Sequence, residues 1–111
     1  MKIPIVKQIL SANDQVAADN RATFDQLGVF VVNLMASPGA GKTSVILATF
    51  ARLPQHIRPG VIEGDLASTL DADTIAAHNI PVVQINTGGN CHLDAPMIRR
   101  ALANLPLDAI D

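Results

Sequence analysis

The densest chemistry in the chain is the run Ala36-Ser37-Pro38-Gly39-Ala40-Gly41-Lys42-Thr43-Ser44. Its glycines let the backbone curl so that successive N–H groups turn inward, the arrangement that cradles phosphate oxygens. Lys42 is spaced to neutralise the β- and γ-phosphates, and the Thr43 hydroxyl to ligate Mg2+. Pro38, Gly39, Ala40, Gly41, Lys42, Thr43 and Ser44 are therefore the expected nucleotide-binding residues. A strict phosphate-loop pattern opens on glycine, and Ala36 stands there instead. That departure is mild, because the first position is not the one pressed against phosphate. The bland alternative is a glycine-rich turn that happens to precede Lys-Thr, and the strand and helix expected on either side weigh against it.

Two acids, Glu63 and Asp65, close the next short apolar run, where they fall at the carboxyl end of an expected strand. In a parallel sheet that edge faces the same crevice as the phosphate loop. A carboxylate there can hold Mg2+ or orient an attacking water; the alternative is a solvated loop acid. Thr69 is a weaker candidate, as a residue that senses phosphate.

The third constellation is Cys91-His92, inside Gly88-Gly89-Asn90-Cys91-His92-Leu93-Asp94. Thiolate and imidazole suit Zn2+ or Ni2+, but two adjacent ligands do not complete a tetrahedral site. Two chains meeting at a twofold axis would supply two of each, and a ligand from further along the sequence would serve equally well. The alternative is a small buried cysteine beside a surface histidine. Met97 falls on helical spacing and reads as core, while His56 and His78 are isolated and read as surface residues.

These residues need elements to position them. Val6, Ile9, Leu10, Val16, Ala17, Phe24 and Leu27 recur at three- and four-residue steps, which predicts an amphipathic helix ended by Gly28. Asn13 and Asn20 fall on its apolar stripe, so a break or partial burial is expected there. Val29 to Met35 predicts a strand buried on both faces, leading into the phosphate loop. A helix is expected from about Lys42 to Leu53, stopped by Pro54, and a strand over 60–65. Asp71 to Asn79 suits a short helix, with Asn79 as its stop, and 81–86 a third strand. Leu93, Met97, Ile98, Ala101, Leu102 and Leu105 mark a last helix, with Asp94 as cap, Pro96 in its first turn and Pro106 closing it. Another strand is expected to begin within 107–111. Strands alternating with helices give an α/β fold with a parallel sheet. The expected division is an N-terminal helix over 1–28 and a partial, apparently truncated nucleotide-binding domain over 29–111, its C-terminal half missing.

Composition narrows the classes. The chain has 111 residues, of which 49% are hydrophobic and 16% charged, so it fits one globular domain or part of one and is poorly suited to disorder. Its net charge of -2, with three Phe and no Tyr or Trp, lacks both the basic stripe and the stacking surface of a nucleic-acid binder. A single cysteine forms no intrachain disulfide and points to the cytoplasm. The longest strongly apolar stretch, 29–36, is interrupted by Asn33 and falls far short of the ~20 residues that cross a bilayer, so no membrane association is expected.

Taken together, the segments resemble the HypB family, GTPases that assist nickel insertion into [NiFe]-hydrogenase. The likeness is carried by Ala17-Ala18-Asp19-Asn20-Arg21, by Asn33 through Thr43, by Val61-Ile62-Glu63-Gly64-Asp65, by Val83-Gln84-Ile85-Asn86-Thr87-Gly88, and most specifically by Cys91-His92-Leu93-Asp94-Ala95. It implies a P-loop NTPase fold with three layers and a mostly parallel sheet. It also implies GTP as ligand, dimerisation with nucleotide, and metal bound at the subunit interface by Cys91 and His92. Lys42 and Asp65 would be the catalytic residues, and Thr43 and Asp65 the Mg2+ ligands. Hydrogenase maturation factors and the hydrogenase large subunit would be the partners. The family's Asn-Lys-x-Asp guanine motif and a further ligand cysteine lie beyond the matched region. Met1 to Lys7 carries neither the cysteine motif nor the histidine-rich tract found near the start of many members. Two alternatives stay open: a non-enzymatic metal-binding or dimerisation module, and another P-loop NTPase such as a small-molecule kinase.

Overall fold

The computed structural model describes residues 3–35, 41–65, 70–86 and 93–111. The first helix, α1 (Ile3–Leu27), runs unbroken through Asn13 and Asn20, and Gly28 ends it with φ +69°. The expected break is absent because both asparagines find hydrogen-bond partners outside the helix, so a polar group on the buried face carries no unmet cost.

Helix α2 (Lys42–Arg52) stops where Leu53, held extended ahead of Pro54, can no longer continue it. Strand β1 (Val61–Asp65) leads through α3 (Leu70–Ala76) to strand β2 (Val82–Asn86), the β-α-β order read from the sequence. The two strands pair in parallel with Val61 opposite Val82 and Asp65 opposite Asn86. Asn79 takes φ +62° after α3 and turns the chain toward β2. The last helix, α4 (Ala95–Leu102), has Pro96 in its first turn and its N-terminus capped by Asp94, whose carboxylate accepts from the Met97 N–H at 2.9 Å. A 3-10 turn, Leu107–Ala109, occupies the start of the stretch where a strand is expected, and Ile110 after it is extended.

Packing is layered: α3 and α4 both rest on β2, and α1 lies along α4. Ala72, Ile75, Ala101 and Ile110 form the buried core among the described residues, with Ile75 wholly inaccessible. No described helix is long and apolar enough to cross a membrane.

The segment Val29 to Met35 departs from expectation. It is not a strand, and Phe30, Val32 and Met35 are 83%, 74% and 76% exposed. The reason is pairing. The Phe30 N–H donates to the Asp111 carbonyl at 2.9 Å, and the Asp111 N–H donates to the Arg58 carbonyl at 2.8 Å. Asp111 therefore lies between the Val29 segment and the approach to β1. One bond to each side does not make a ladder, and apolar sequence without a ladder stays an irregular, exposed run.

Candidate functional site

The nucleotide half of the site is built at the start of α2. Gly41 occupies the N-cap position with φ +92° and ψ +24°, a left-handed conformation that side-chain-bearing residues enter at a cost. That bend turns the chain directly into the helix, so Lys42, Thr43 and Ser44 form the first turn of α2. Lys42 and Thr43 are half-buried there, and Ser44 is exposed. The first turn of a helix has N–H groups without intrahelical acceptors and a positive end, both suited to phosphate. Pro38, Gly39 and Ala40 lie outside the described residues.

The carboxylate half sits on β1. Asp65 is its last residue, in register with Asn86 at the end of β2, so both strands deliver their C-termini to one edge of the sheet. The Asp65 side chain and Thr69 lie outside the described set, and Glu63 is half-buried on the same strand.

Cys91 and His92 also lie outside the described residues, but the backbone that follows them is fixed. Leu93 packs onto Gly64, one residue before Asp65: a Cβ placed on Gly64 would stand 2.7 Å from Leu93 Cδ2. Asp94 caps α4. Ala95 is gripped by α1 through both of its backbone polar groups. The Asn13 Oδ1 accepts from the Ala95 N–H at 3.1 Å, and the Asn20 Nδ2 donates to the Ala95 carbonyl at 3.0 Å. Asn20 is only 7% exposed. Sequence reading saw the two asparagines as an interruption of an apolar stripe and assigned them nothing. The signal was their spacing: seven residues apart, they share one helix face, and a polar pair on a core face implies a fixed partner.

The remaining candidates fall where their isolation suggests. His56 is exposed; His78 is exposed with Nδ1 2.9 Å from the Thr74 carbonyl. Met97 is half-buried on α4 and lines a groove of about 240 Å3 with Val83, Ile85 and Arg100.

This chain is similar to a set of known proteins. The sequence profile of the CobW/HypB/UreG nucleotide-binding domain matches residues 30–110. The hydrogenase maturation factor HypB of Azotobacter vinelandii is 50% identical over 101 residues, a match covering 91% of this chain and 33% of that protein. The crystal structure of HypB from Helicobacter pylori in complex with nickel superposes with a TM-score of 0.80 at 36% identity, over 90% of this chain and 47% of that one. HypB from Archaeoglobus fulgidus superposes with a TM-score of 0.76 at 33% identity, over 89% of this chain and 48% of that one. The chain thus spans about a third of the length of that curated relative and about half of each solved chain. These likenesses establish the α/β, parallel-sheet P-loop NTPase fold expected from the sequence. The profile covers most of the chain and the sequence relatives agree with it: the chain belongs to the CobW/HypB/UreG nucleotide-binding family.

Proposed function

We propose that this chain carries the phosphate-binding part of a GTP-hydrolysing metallochaperone that assists nickel insertion during [NiFe]-hydrogenase maturation. The observation that carries the reading is the left-handed Gly41, which turns the chain into a helix opening on Lys42 and Thr43, inside a family of nucleotide-binding domains.

In this reading the loop 38–41 and the first turn of α2 bind the phosphates of GTP through backbone N–H groups, and Lys42 neutralises their charge. Water attacks the γ-phosphorus as its bond to the bridging oxygen breaks, a reaction that depends mainly on positioning and electrostatics. Asp65 orients the attacking water or the metal shell from the carboxyl end of β1. A threonine hydroxyl at the head of a helix and one strand-end carboxylate form an all-oxygen donor set that fits Mg2+, so Thr43 and Asp65 would hold it. The ion would supply charge neutralisation at the phosphate oxygens.

Ni2+, or Zn2+ in the same site, is the cargo. Cys91 and His92 would bind it, completed by the same pair from a second copy in a homodimer. Other maturation factors and the hydrogenase large subunit would be the partners, in the cytoplasm.

The test is calorimetric titration of the purified chain with Mg-GTP against Mg-ATP. Preferential binding of GTP supports the reading. No binding, or equal weak binding of both, overturns nucleotide function for this chain and leaves a metal-binding or dimerisation module.

A further inference from the structure

We propose that Asn13 and Asn20 are positioning residues for metal binding, holding the backbone that follows the Cys91-His92 pair; this rests on reading that pair as metal ligands. Ala95 is four residues from Cys91, a span of no more than about 14 Å of chain. Its N–H is one of the first-turn groups of α4 that no intrahelical carbonyl can satisfy, and the Asn13 Oδ1 accepts it at 3.1 Å. Its carbonyl accepts from the Asn20 Nδ2 at 3.0 Å.

The arrangement is directional in a way that apolar packing is not. Leucine at both positions would suit the stripe of α1 better and bury more apolar surface. Two asparagines in their place give up that burial and in return define where one peptide unit sits, from both of its polar sides. Asn20, 7% exposed, has its amide spent on this contact. With Leu93 seated on Gly64 and Asp94 capping α4, three consecutive residues are held immediately after His92. A ligand pair entering from a fixed backbone loses less conformational freedom when a metal binds than one in an unanchored loop. The N-terminal helix is thereby part of the metal site without supplying a ligand.

The experiment titrates the full chain with Ni2+ alone and with Zn2+ alone, following affinity by calorimetry and the thiolate-to-nickel charge-transfer band by absorption. Asn13→Ala, which removes the acceptor, and Asn20→Asp, which replaces the donor with an acceptor facing a carbonyl, should each weaken binding about tenfold and alter the band. Asn13→Asp keeps an oxygen acceptor and should bind as the unmodified chain does. If Asn20→Asp fails to fold, the Asn13→Ala and Asn13→Asp pair carries the test on its own. Wild-type affinity in Asn13→Ala alongside loss of binding in Cys91→Ser overturns the positioning role while the metal reading survives. Equal weakening in Asn13→Ala and Asn13→Asp also overturns it, since the acceptor would then not matter. Unchanged binding in Cys91→Ser removes the metal reading itself, and the positioning role with it.

Discussion

Leu93 lies on the bare α-carbon of Gly64, so close that a methyl group there would stand 2.7 Å from its Cδ2 and 3.0 Å from its Cγ. This contact joins two segments that the sequence treats as separate signals. Gly64 separates Glu63 from Asp65 on β1, and Leu93 directly follows Cys91-His92. The candidate nucleotide carboxylate and the candidate metal pair are thus each one residue from the same van der Waals contact.

Substituting Gly64 by alanine should therefore force Leu93 or β1 to move. The expected cost is about 1–3 kcal/mol of stability, typical of overpacking, read as a lower melting temperature. Combining Gly64→Ala with Leu93→Ala should cost less than the two single changes added together, because the shorter side chain makes room for the methyl. Strict additivity would show that the two residues do not meet.

Gly41 offers the opposite case. A Cβ there would meet no atom of the described residues within 4 Å, yet φ is +92°. Any penalty for Gly41→Ala is then conformational, roughly 1–2 kcal/mol, and Gly41→Asn should be better tolerated than Gly41→Val because asparagine enters the left-handed region more readily. Thermal melts of the three variants measure this order, and nucleotide affinity should fall in the same sequence.

Much of this was legible from local pattern. The helix stops at Gly28 and Pro54, the Asp94 cap and the β-α-β order each depend on a few neighbouring residues and stand where they were read, while α3 ends at Ala76, three residues before its expected stop at Asn79. What could not be read locally was partnership. Val29 to Met35 has the composition of a buried strand, but strand formation needs a ladder, and Asp111 contributes a single bond to Phe30. Asn13 and Asn20 looked like flaws because their partner, Ala95, lies 82 and 75 residues away in sequence. The close approach at Gly64 depends on Leu93, 29 residues further along the chain. The candidate phosphate and metal segments rest on residue type and spacing alone, since residues 36–40 and 87–92 lie outside the described residues.

Lys42 should be indispensable for turnover and dispensable for folding. It is half-buried at the head of α2, where a loss of the ammonium leaves helix formation intact, alanine being the stronger helix former. In the intact protein Lys42→Ala should reduce GTP hydrolysis by at least about 100-fold, with a melting temperature close to the parent's. Normal turnover in that variant would falsify the assignment of Lys42 to the phosphates.

Asp111 makes the acid side of the stability profile testable. The Arg58 side chain donates to its Oδ2 at 3.2 Å and the Arg58 backbone N–H donates to the same oxygen at 2.8 Å. The guanidinium and then the amide hold the Asp111 carboxyl below its ordinary value in the folded chain. A carboxyl lowered on folding stabilises the fold above its unfolded pKa, about 3.9, and that contribution is lost as pH falls through the lower folded value. Because the pair is exposed, the effect should be small and should shrink in high salt. Asp111→Asn should then lower the melting temperature slightly at neutral pH and converge with the parent in acid, below about pH 4, which leaves a flatter acid limb. An acid slope identical to the parent's would show that ionisation of the Asp111 carboxyl contributes nothing to stability, leaving only its backbone bonds with Phe30 and Arg58.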